Sequence, residues 1–596
     1  MADYQNPQHE PGNERRLLLI FVVTFVLMLV FVQVQKKYFP VPPPPQEQKQ
    51  TTATPAPKET QPPAPPATTQ KSAKSKSSAS KAAVPPPVIN KQAEHESETV
   101  VENNLYRITF SNRGAEVKSW ILKKYDNDTE NGPLDLVNPA AAKQFGYPMS
   151  LWTYDEDLRG RLASELYVPS STGTLTAPAS LTFEYSDDVM TVRKTFTFDN
   201  TYIVKINADV TFHGSPAPAL VAWPAGFGDQ TTPAFYASST IDYQFNKNIE
   251  RVASKKVSGG ATIPGPFHWA GPNDQYFAAV FIPDDPATAS MVTFRNSLSV
   301  PRDPQNKNNK EETKVEVLGA AVGNLHGPIS ERVFVGPKEP DVLQTIPVPG
   351  LSGADNDLTG LVDYGIWGLL AKPLFVWLKW TYAHMIANWG WAIVLQTLII
   401  TVALMPLRFM QMKSMLKMQR VQPQIKSIQE KYKKYSLRDP RKAAMNEEIS
   451  AIYKKEGVNP VGGCLPMLIQ LPFLYAYYKM LYVVVDLRHA HWLWIKDLSA
   501  ADPLYLLPIF MVVTMIVTQR MTPQTGMDPA QQRMMNIMMP LFMGFIFFRL
   551  QAGLNLYYME SNLISIGQQA VINRSKLGRE MREMMAKRAR KKDKDK

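Results

Sequence analysis

Runs of apolar residues nearly as long as a bilayer is thick are the feature that most constrains the fold of this chain. Six such runs occur, and about twenty apolar residues in a helix span the hydrocarbon core of a membrane. They predict a membrane protein with an α-helical core of six transmembrane helices, an N-terminal anchor followed by a group of five. The runs cover residues 17–34, 389–407, 465–485, 503–519, 534–549 and 552–572.

The first run is followed by Gln35, Lys36 and Lys37 rather than by the small residues of a signal-peptide cleavage site. We therefore expect an uncleaved anchor at 17–34 after a short N-terminus, 1–16. The next segment, 35–97, is rich in Pro, Ala, Ser and Lys. Such a composition buries too little apolar surface to offset the entropy of ordering, so we predict a disordered tether.

Between residues 98 and 348 the hydrophobic pattern changes to a period of two, which is typical of β-strands. Turns rich in Asn, Asp, Gly and Pro separate the alternating stretches, which include 105–110, 117–122, 192–198 and 202–210. Short alternating strands in this number predict an inserted antiparallel β-sandwich domain. We expect three aromatic residues in its core, namely Trp269, Tyr276 and Phe277.

Charged residues predict the orientation of the chain. Residues 408–460 and 573–596 are rich in Lys and Arg, and the second segment has eleven of them against four Asp and Glu. Because Lys and Arg concentrate on the cytoplasmic side of a membrane, both termini and 408–460 are predicted to be cytoplasmic and the β domain to lie outside. Residues 361–384 are aromatic and amphipathic, so we expect a helix lying in the membrane interface.

The last apolar run carries a regular row of polar residues. Spacings of 3, 4, 3 and 4 place them on one face of a helix, and they are Asn555, Tyr558, Asn562, Ser565 and Gln569. Other runs add Gln396, Thr397, Thr401 and Gln470. Because polar side chains are costly in lipid, we expect these residues to line a hydrophilic substrate groove. Hydrogen bonding between helices, with no transport role, is the alternative for any single Ser or Thr.

Two ionisable residues also lie within the apolar runs. Glu560 is off the polar face, roughly 200° around the helix from Tyr558. Lys479 lies at a comparable distance from the outer end of its own run. We predict an intramembrane ion pair between Glu560 and Lys479, with Arg549 as the other candidate partner of Glu560.

Two basic segments are candidates for contacts with other molecules. Residues 408–460 predict a cytoplasmic hairpin of two helices that carries Lys413, Lys417, Lys426, Lys431, Lys454 and Lys455. The tail 573–596 contains Lys587, Arg588, Arg590, Lys591 and Lys592. Such a tail is suited to bind the phosphates of anionic membrane lipids or of RNA. A solvated tail without a partner is the alternative.

Motifs typical of enzymes and metal sites do not occur in the sequence. The single cysteine, Cys464, excludes an intrachain disulfide and a cysteine-based zinc or iron–sulfur site. There is no Walker loop, GxSxG elbow or HExxH motif. We therefore predict no enzyme activity, no metal, no cofactor and no small-molecule substrate.

Several strings of residues resemble the YidC/Oxa family of bacterial membrane protein insertases, in its Gram-negative form with a large periplasmic domain. The resemblance extends in order over essentially the full chain. The strings are VNPVGGCLP at 458–466, LIQLP at 468–472, GLNLYY at 553–558, WIKDL at 494–498 and DQYF at 274–277.

This resemblance implies an insertase and chaperone of the inner membrane. Such a protein takes hydrophobic segments of nascent proteins into the groove and releases them laterally into lipid, alone or with the Sec translocon. It also implies a periplasmic supersandwich domain, client capture by the hairpin and ribosome binding by the tail. Thr397 and Tyr558 match groove positions that contact substrates in the family. Thr401 is a departure, because the family usually carries Arg or Lys there.

Two other classes of function are compatible with the residues. A transporter or channel would also have polar residues inside its helices, but the six runs show no inverted repeat. An envelope scaffold anchored by the helices is the third possibility. Deleting the outer domain would abolish the function of a scaffold, whereas an insertase core would largely keep its function.

Overall fold

The computed structural model describes residues 90–302, 310–351, 356–435, 439–457, 465–521, 534–576, 578–580 and 582–583. All of these residues belong to one compact unit, Pro85–Lys596. The predicted N-terminus 1–16, the anchor 17–34 and nearly all of the tether lie outside the described residues, as do Lys587, Arg588, Arg590, Lys591 and Lys592. The backbone of Gln470 is described, but its side chain is not.

Twenty β-strands between residues 98 and 337 build three sheets. In chain order, β1 to β20 are Glu98–Glu102, Tyr106–Ser111, Glu116–Asp126, Pro133–Asp135, Ser150–Trp152, Val168–Pro169, Gly173–Thr176, Ala179–Ser186, Met190–Phe198, Ile203–Phe212, Ser215–Pro216, Leu220–Trp223, Thr240–Phe245, Asn248–Ala253, Thr262–Pro264, Trp269–Asn273, Phe277–Pro283, Ala289–Pro301, Glu312–Asn324 and Ile329–Pro337. The sheet orders are β4-β3-β2-β1-β7, β14-β13-β16-β17-β20-β10-β9-β8-β6 with β11 beside β10, and β15-β18-β19-β12-β5.

The alternating pattern of the sequence explains where the strands lie. In β9 every second residue from Met190 to Phe198 is buried, because successive side chains of a strand point to opposite faces of the sheet. The four strands predicted from alternation coincide with β2, β3, β9 and β10. Trp269, Tyr276 and Phe277 are each at most 1% exposed, so their predicted place in the core is confirmed.

The sheets pack on one another through aromatic side chains. Phe110 of β2 lies 4.8 Å, centroid to centroid, from Phe196 of β9. Trp120 of β3 lies 6.0 Å from Trp223 of β12. All three sheets therefore contribute to one hydrophobic core, and a β-sandwich is the architecture of this part of the chain.

The expectation of purely antiparallel pairing is wrong at one position. β1 and β7 pair in parallel, with Val100 opposite Thr174. Parallel neighbours need a long connection, and here the connection contains β2 to β6 and two short helices. Alternation reports which face a residue occupies and carries no information on strand direction, so the sequence pattern could not reveal this pair.

Twelve α-helices are found in the described residues. Four short ones, α1 to α4, are Pro139–Phe145, Glu156–Ser164, Pro233–Ala237 and Pro340–Leu343. Eight further helices, α5 to α12, are Gly368–His384, Trp389–Ala403, Met405–Lys431, Arg441–Lys455, Leu465–Val483, Leu506–Met521, Met539–Phe547 and Ala552–Arg574. A π-helical turn, Met534–Met538, precedes α11.

Helices occur at each apolar run within the described residues, but their lengths differ from those predicted. The run 389–407 is divided between two helices. α6 ends at Ala403, and α7 begins at Met405 after a bend of 44°. No single described helix is long and apolar enough to cross a membrane unaided, and only α6 and α7 taken together meet that criterion. The number of membrane crossings therefore remains a prediction.

Hydrogen bonds and an ion pair connect the β-sandwich to the helices. Gln275 donates from its amide nitrogen to the carbonyl of Tyr482 at 2.8 Å, at the end of α9. Lys379 of α5 lies 3.2 Å from a carboxylate oxygen of Glu339. These contacts attach the sandwich to α5 and α9.

Candidate functional site

Polar side chains of α6 and α12 are buried where these helices pack together. α12 contacts both α6 and α10 along much of its length. The residues enclosed there form what we call the buried polar cluster: Gln396, Thr397, Thr401, Asn555, Ser561, Ser565, Gln568 and Gln569. Six of these belong to the groove predicted from the sequence. Tyr558 and Asn562 are half-buried beside the cluster.

Gln396 connects three helices at one end of the cluster. Its amide nitrogen donates to the carbonyl of Leu374 in α5 at 2.9 Å. Its amide oxygen accepts a hydrogen bond of 3.1 Å from the hydroxyl of Tyr477 in α9. The Tyr477 ring in turn stacks on Tyr557 of α12, with centroids 4.2 Å apart. Gln396 therefore sets how α6 packs against α5 and α9.

Asn555 organises the turn by which the chain enters α12. Its amide nitrogen donates to the carbonyls of Phe547 and Leu550, both at 3.1 Å. These carbonyls lie at or just after the C-terminal end of α11, where helix carbonyls lack partners within the helix. Asn555 therefore fixes the direction in which the following polar row points.

Gln568 joins α12 to α6 at the other end of the cluster. It donates to the backbone carbonyl of Thr401 at 3.0 Å. The hydroxyls of Thr397 and Ser565 instead donate to carbonyls of their own helices, those of Ile393 and Ser561. Helix-to-helix hydrogen bonds thus account for only part of the polar row.

Several polar atoms in this region are buried without a hydrogen-bond partner among the described residues. They are Asn555 Oδ1, Glu560 Oε2, Asn562 Nδ2 and Gln568 Oε1. A buried polar group left unsatisfied costs roughly 1–3 kcal/mol. Polar side chains kept solely to join helices would have their partners within the protein. The unsatisfied atoms can instead bind water or the polar part of a substrate.

The predicted ion pair between Lys479 and Glu560 is not formed. Lys479 Nζ lies 3.7 Å from Asp363 Oδ2, and Glu560 forms no ion pair within the described ranges. α9 and α12 are antiparallel, because Tyr477 is level with Tyr557 and Leu481, later in α9, lies beside Gly553, earlier in α12. Lys479 and Glu560 follow these tyrosines in opposite directions, by two and three residues, so a rise of 1.5 Å per residue places them about 7.5 Å apart along the helix axes.

The hairpin formed by α7 and α8 has a small apolar contact surface. Val421 and Ile425 of α7 pack with Ile449 and Ile452 of α8. Ile572 of α12 packs against the first part of α7. All six predicted lysines of the hairpin are exposed: Lys413, Lys417, Lys426, Lys431, Lys454 and Lys455. Of these, Lys431 pairs with Glu448 at 2.9 Å.

Sequence reasoning missed Tyr477, Ser561 and Gln568. Ser561, Ser565 and Gln568 continue from Tyr558 at spacings of 3, 4 and 3, so a second polar line on α12 was present in the sequence. Tyr477 gave no such signal, because a tyrosine in an apolar run is common. In the part of the chain that the structure describes, no group of His, Cys, Asp and Glu could hold a metal ion.

Comparison with known proteins identifies relatives along both parts of the chain. The family described as 60Kd inner membrane protein matches residues 380–579, and the YidC periplasmic domain matches residues 98–377. The membrane protein insertase YidC of Geobacter sulfurreducens is 33% identical over 481 residues, which are 79% of this chain and 85% of that protein. The membrane protein insertase YidC of Syntrophus aciditrophicus is 31% identical over 81% of this chain and 86% of its own length. A crystal structure of an active YidC insertase covers 82% of this chain and 95% of its own at 20% identity, with a TM-score of 0.33.

Proposed function

The chain belongs to the YidC family of membrane protein insertases, and from that premise we propose that the buried polar cluster receives the polar flanks of its clients. The protein inserts other proteins into the inner membrane and is not an enzyme. Its substrates are accordingly nascent membrane proteins. The open question is which residues of this chain contact them.

The observation that carries the proposal is the set of unsatisfied atoms on α12. Asn555 Oδ1, Asn562 Nδ2 and Gln568 Oε1 are buried and lack hydrogen-bond partners among the described residues. A hydrophilic flank entering between α6 and α12 would supply both donors and acceptors. This lowers the cost of moving that flank into the membrane, while the adjoining apolar segment gains free energy by partitioning into lipid.

The exposed face of α6 supports lateral release. Leu398 and Val402 are 42% and 52% exposed, whereas Thr397 and Thr401 on the neighbouring face of the helix are buried. A client segment leaving the polar side of α6 would therefore reach an apolar surface within one helix diameter. We propose Thr397, Thr401, Gln470, Tyr558 and Gln569 as further groove residues.

The same proposal places each remaining segment on one side of the membrane or within it. We propose that the chain crosses the membrane six times, with both termini and the α7–α8 hairpin in the cytoplasm and the β-sandwich in the periplasm. The exposed lysines of the hairpin and the basic tail would contact clients, the ribosome and anionic lipids. We also propose that the protein inserts its clients either alone or together with the Sec translocon.

Site-specific photocrosslinking tests the groove. A photoreactive amino acid is placed at Thr397 or Tyr558 in the full-length protein, and ribosome-bound nascent membrane proteins are supplied. We expect adducts from both positions and none from Ile399, which is 43% exposed on the other side of α6. Adducts from Ile399 alone, with insertion intact, would show that clients follow a different path.

A further inference from the structure

A cavity of about 580 Å³ lies where the hairpin of β13 and β14 meets the segment leading into α5. The hairpin contributes Lys247 and Arg251, the segment contributes Asp363, and α5 contributes Leu369 and Lys372. Cavities of this size bind small ligands. None of these residues belongs to the buried polar cluster, so the cavity is a separate site.

Three lysine and arginine side chains and two carboxylates line the cavity, and two of the cations have no ion-pair partner among the described residues. One carboxylate, Asp357, accepts hydrogen bonds from the backbone N–H and the hydroxyl of Thr359. Arg251 is engaged, because it donates to the carbonyl of Gly360 at 2.6 Å and lies 3.5 Å from a carboxylate oxygen of Asp242. Asp363 is balanced by Lys479 at 3.7 Å. Lys247 and Lys372 are exposed and form no ion pair with any residue that the structure describes. The cavity wall therefore offers two ammonium groups to an anion.

An exposed apolar stripe runs from the cavity along α5. Leu369 is 88% exposed, Val376 is 66% exposed and Trp380 is 51% exposed. Together with Pro373 they are spaced 4, 3 and 4 residues apart, which places them on one helix face. Phe245, at the end of the hairpin that carries Lys247, is also exposed. An exposed apolar helix face of this kind is typical of contact with a membrane.

We propose that this cavity binds the headgroup of an anionic phospholipid, with the lipid phosphate between Lys247 and Lys372 and the acyl chains along the α5 stripe. The combination of ammonium groups and an adjoining apolar face matches an amphiphile. A soluble phosphate would use the two lysines and gain nothing from Leu369 or Val376. Lipid bound in this way would hold both α5 and the β13–β14 hairpin at the membrane surface.

Photoreactive phosphatidylglycerol in nanodiscs containing the full-length protein tests this site, without any client or ribosome. We expect labelled peptides from residues 244–251 and 363–372. Lys247→Gln combined with Lys372→Gln should reduce this labelling about thirtyfold, since each lysine near a lipid surface contributes about 1 kcal/mol and every 1.4 kcal/mol is a factor of ten. Lys255→Gln combined with Lys256→Gln is the matched control, because these lysines are exposed on the same β domain and lie outside the cavity.

Two further experiments distinguish a phospholipid headgroup from a soluble phosphate as the bound anion. Leu369→Asn should reduce labelling while leaving the lysines in place, and excess inorganic phosphate should not compete. Competition by inorganic phosphate together with insensitivity to Leu369→Asn would establish a soluble-anion site and overturn the proposal. Equal labelling by photoreactive phosphatidylcholine, or unchanged labelling of the double lysine variant, would also overturn it.

Discussion

Arg488 joins the helical part of the chain to the β-sandwich through Asp128. Its guanidinium donates to a carboxylate oxygen of Asp128 at 2.9 Å and to the carbonyl of Asp126 at 2.6 Å. Only 4% of the Arg488 side chain is exposed, and it lies 5.7 Å from the centre of the Phe277 ring. One buried cation therefore ties the segment after α9 to the first and second sheets.

Arg488→Met should loosen this junction. The variant keeps most of the apolar stem but leaves Asp128 Oδ1 and the Asp126 carbonyl without the donor that Arg488 supplies, at a cost of about 2 kcal/mol. Hydrogen exchange measured by mass spectrometry should become faster in residues 126–128 and 486–498. Arg193→Met, which removes an exposed ion pair to Glu184, is the control and should change little. Equal protection in both variants would contradict the role of Arg488.

The burial of Lys194 leads us to expect that the stability of the protein depends on pH. It is fully buried in β9, where it donates to the carbonyls of Ala115 and Met149, and burial lowers the pKa of Lys194 to about 7 from 10.5. Between pH 7 and pH 10.5 the Lys194 side chain binds a proton in the unfolded chain but not in the folded chain. The free energy of unfolding therefore rises with pH in this range. The slope is at most about 1.4 kcal/mol per pH unit.

Lys194→Met provides the comparison for that slope. Denaturant unfolding of the detergent-solubilised protein, followed by tryptophan fluorescence, should show wild type gaining stability relative to the variant between pH 7 and pH 10. A difference between the two proteins that stays constant with pH would mean that Lys194 is protonated throughout this range in the folded state.

Tyr477→Phe should weaken the contact between α9 and α6. The variant keeps the ring that stacks on Tyr557 and removes the hydroxyl that donates to Gln396, so a buried amide oxygen loses its only donor among the described residues. We expect a loss of about 1–2 kcal/mol and slower insertion of a model client into proteoliposomes, scored by protease protection. Tyr475→Phe is the matched control, because Tyr475 is 45% exposed on the same helix. Equal effects of the two substitutions would exclude a specific role for this hydrogen bond.

Glu560→Gln should stabilise the helical part of the chain. Glu560 is 9% exposed and one of its carboxylate oxygens is buried without a partner among the described residues. A neutral amide is less costly to bury than an unpaired carboxylate. The melting temperature in detergent should therefore rise, whereas Glu456→Gln, at an exposed position after α8, should have no effect. A lower melting temperature for Glu560→Gln would indicate that the carboxylate is stabilised by a cation in the assembled protein.

The positions of β2, β3, β9 and β10 could be predicted because alternation is a local property of neighbouring residues. The polar row of α12 could be predicted for the same reason, since spacings of 3 and 4 define a helix face. That Lys479 and Glu560 do not form an ion pair could not be predicted. Pairing depends on the relative depth of two antiparallel helices, and the stacking of Tyr477 on Tyr557 decides that depth.

The sequence by itself determined that the β-sandwich precedes the helical part and on which faces the polar residues lie, because both follow from residue types and their local spacing. The family followed from the resemblance of longer strings of residues. Only the tertiary structure decided the parallel pairing of β1 with β7 and the cavity between the β13–β14 hairpin and α5. Each of these depends on contacts between residues far apart in the chain. Packing free energy selects such contacts, and the period of a local pattern carries no record of them.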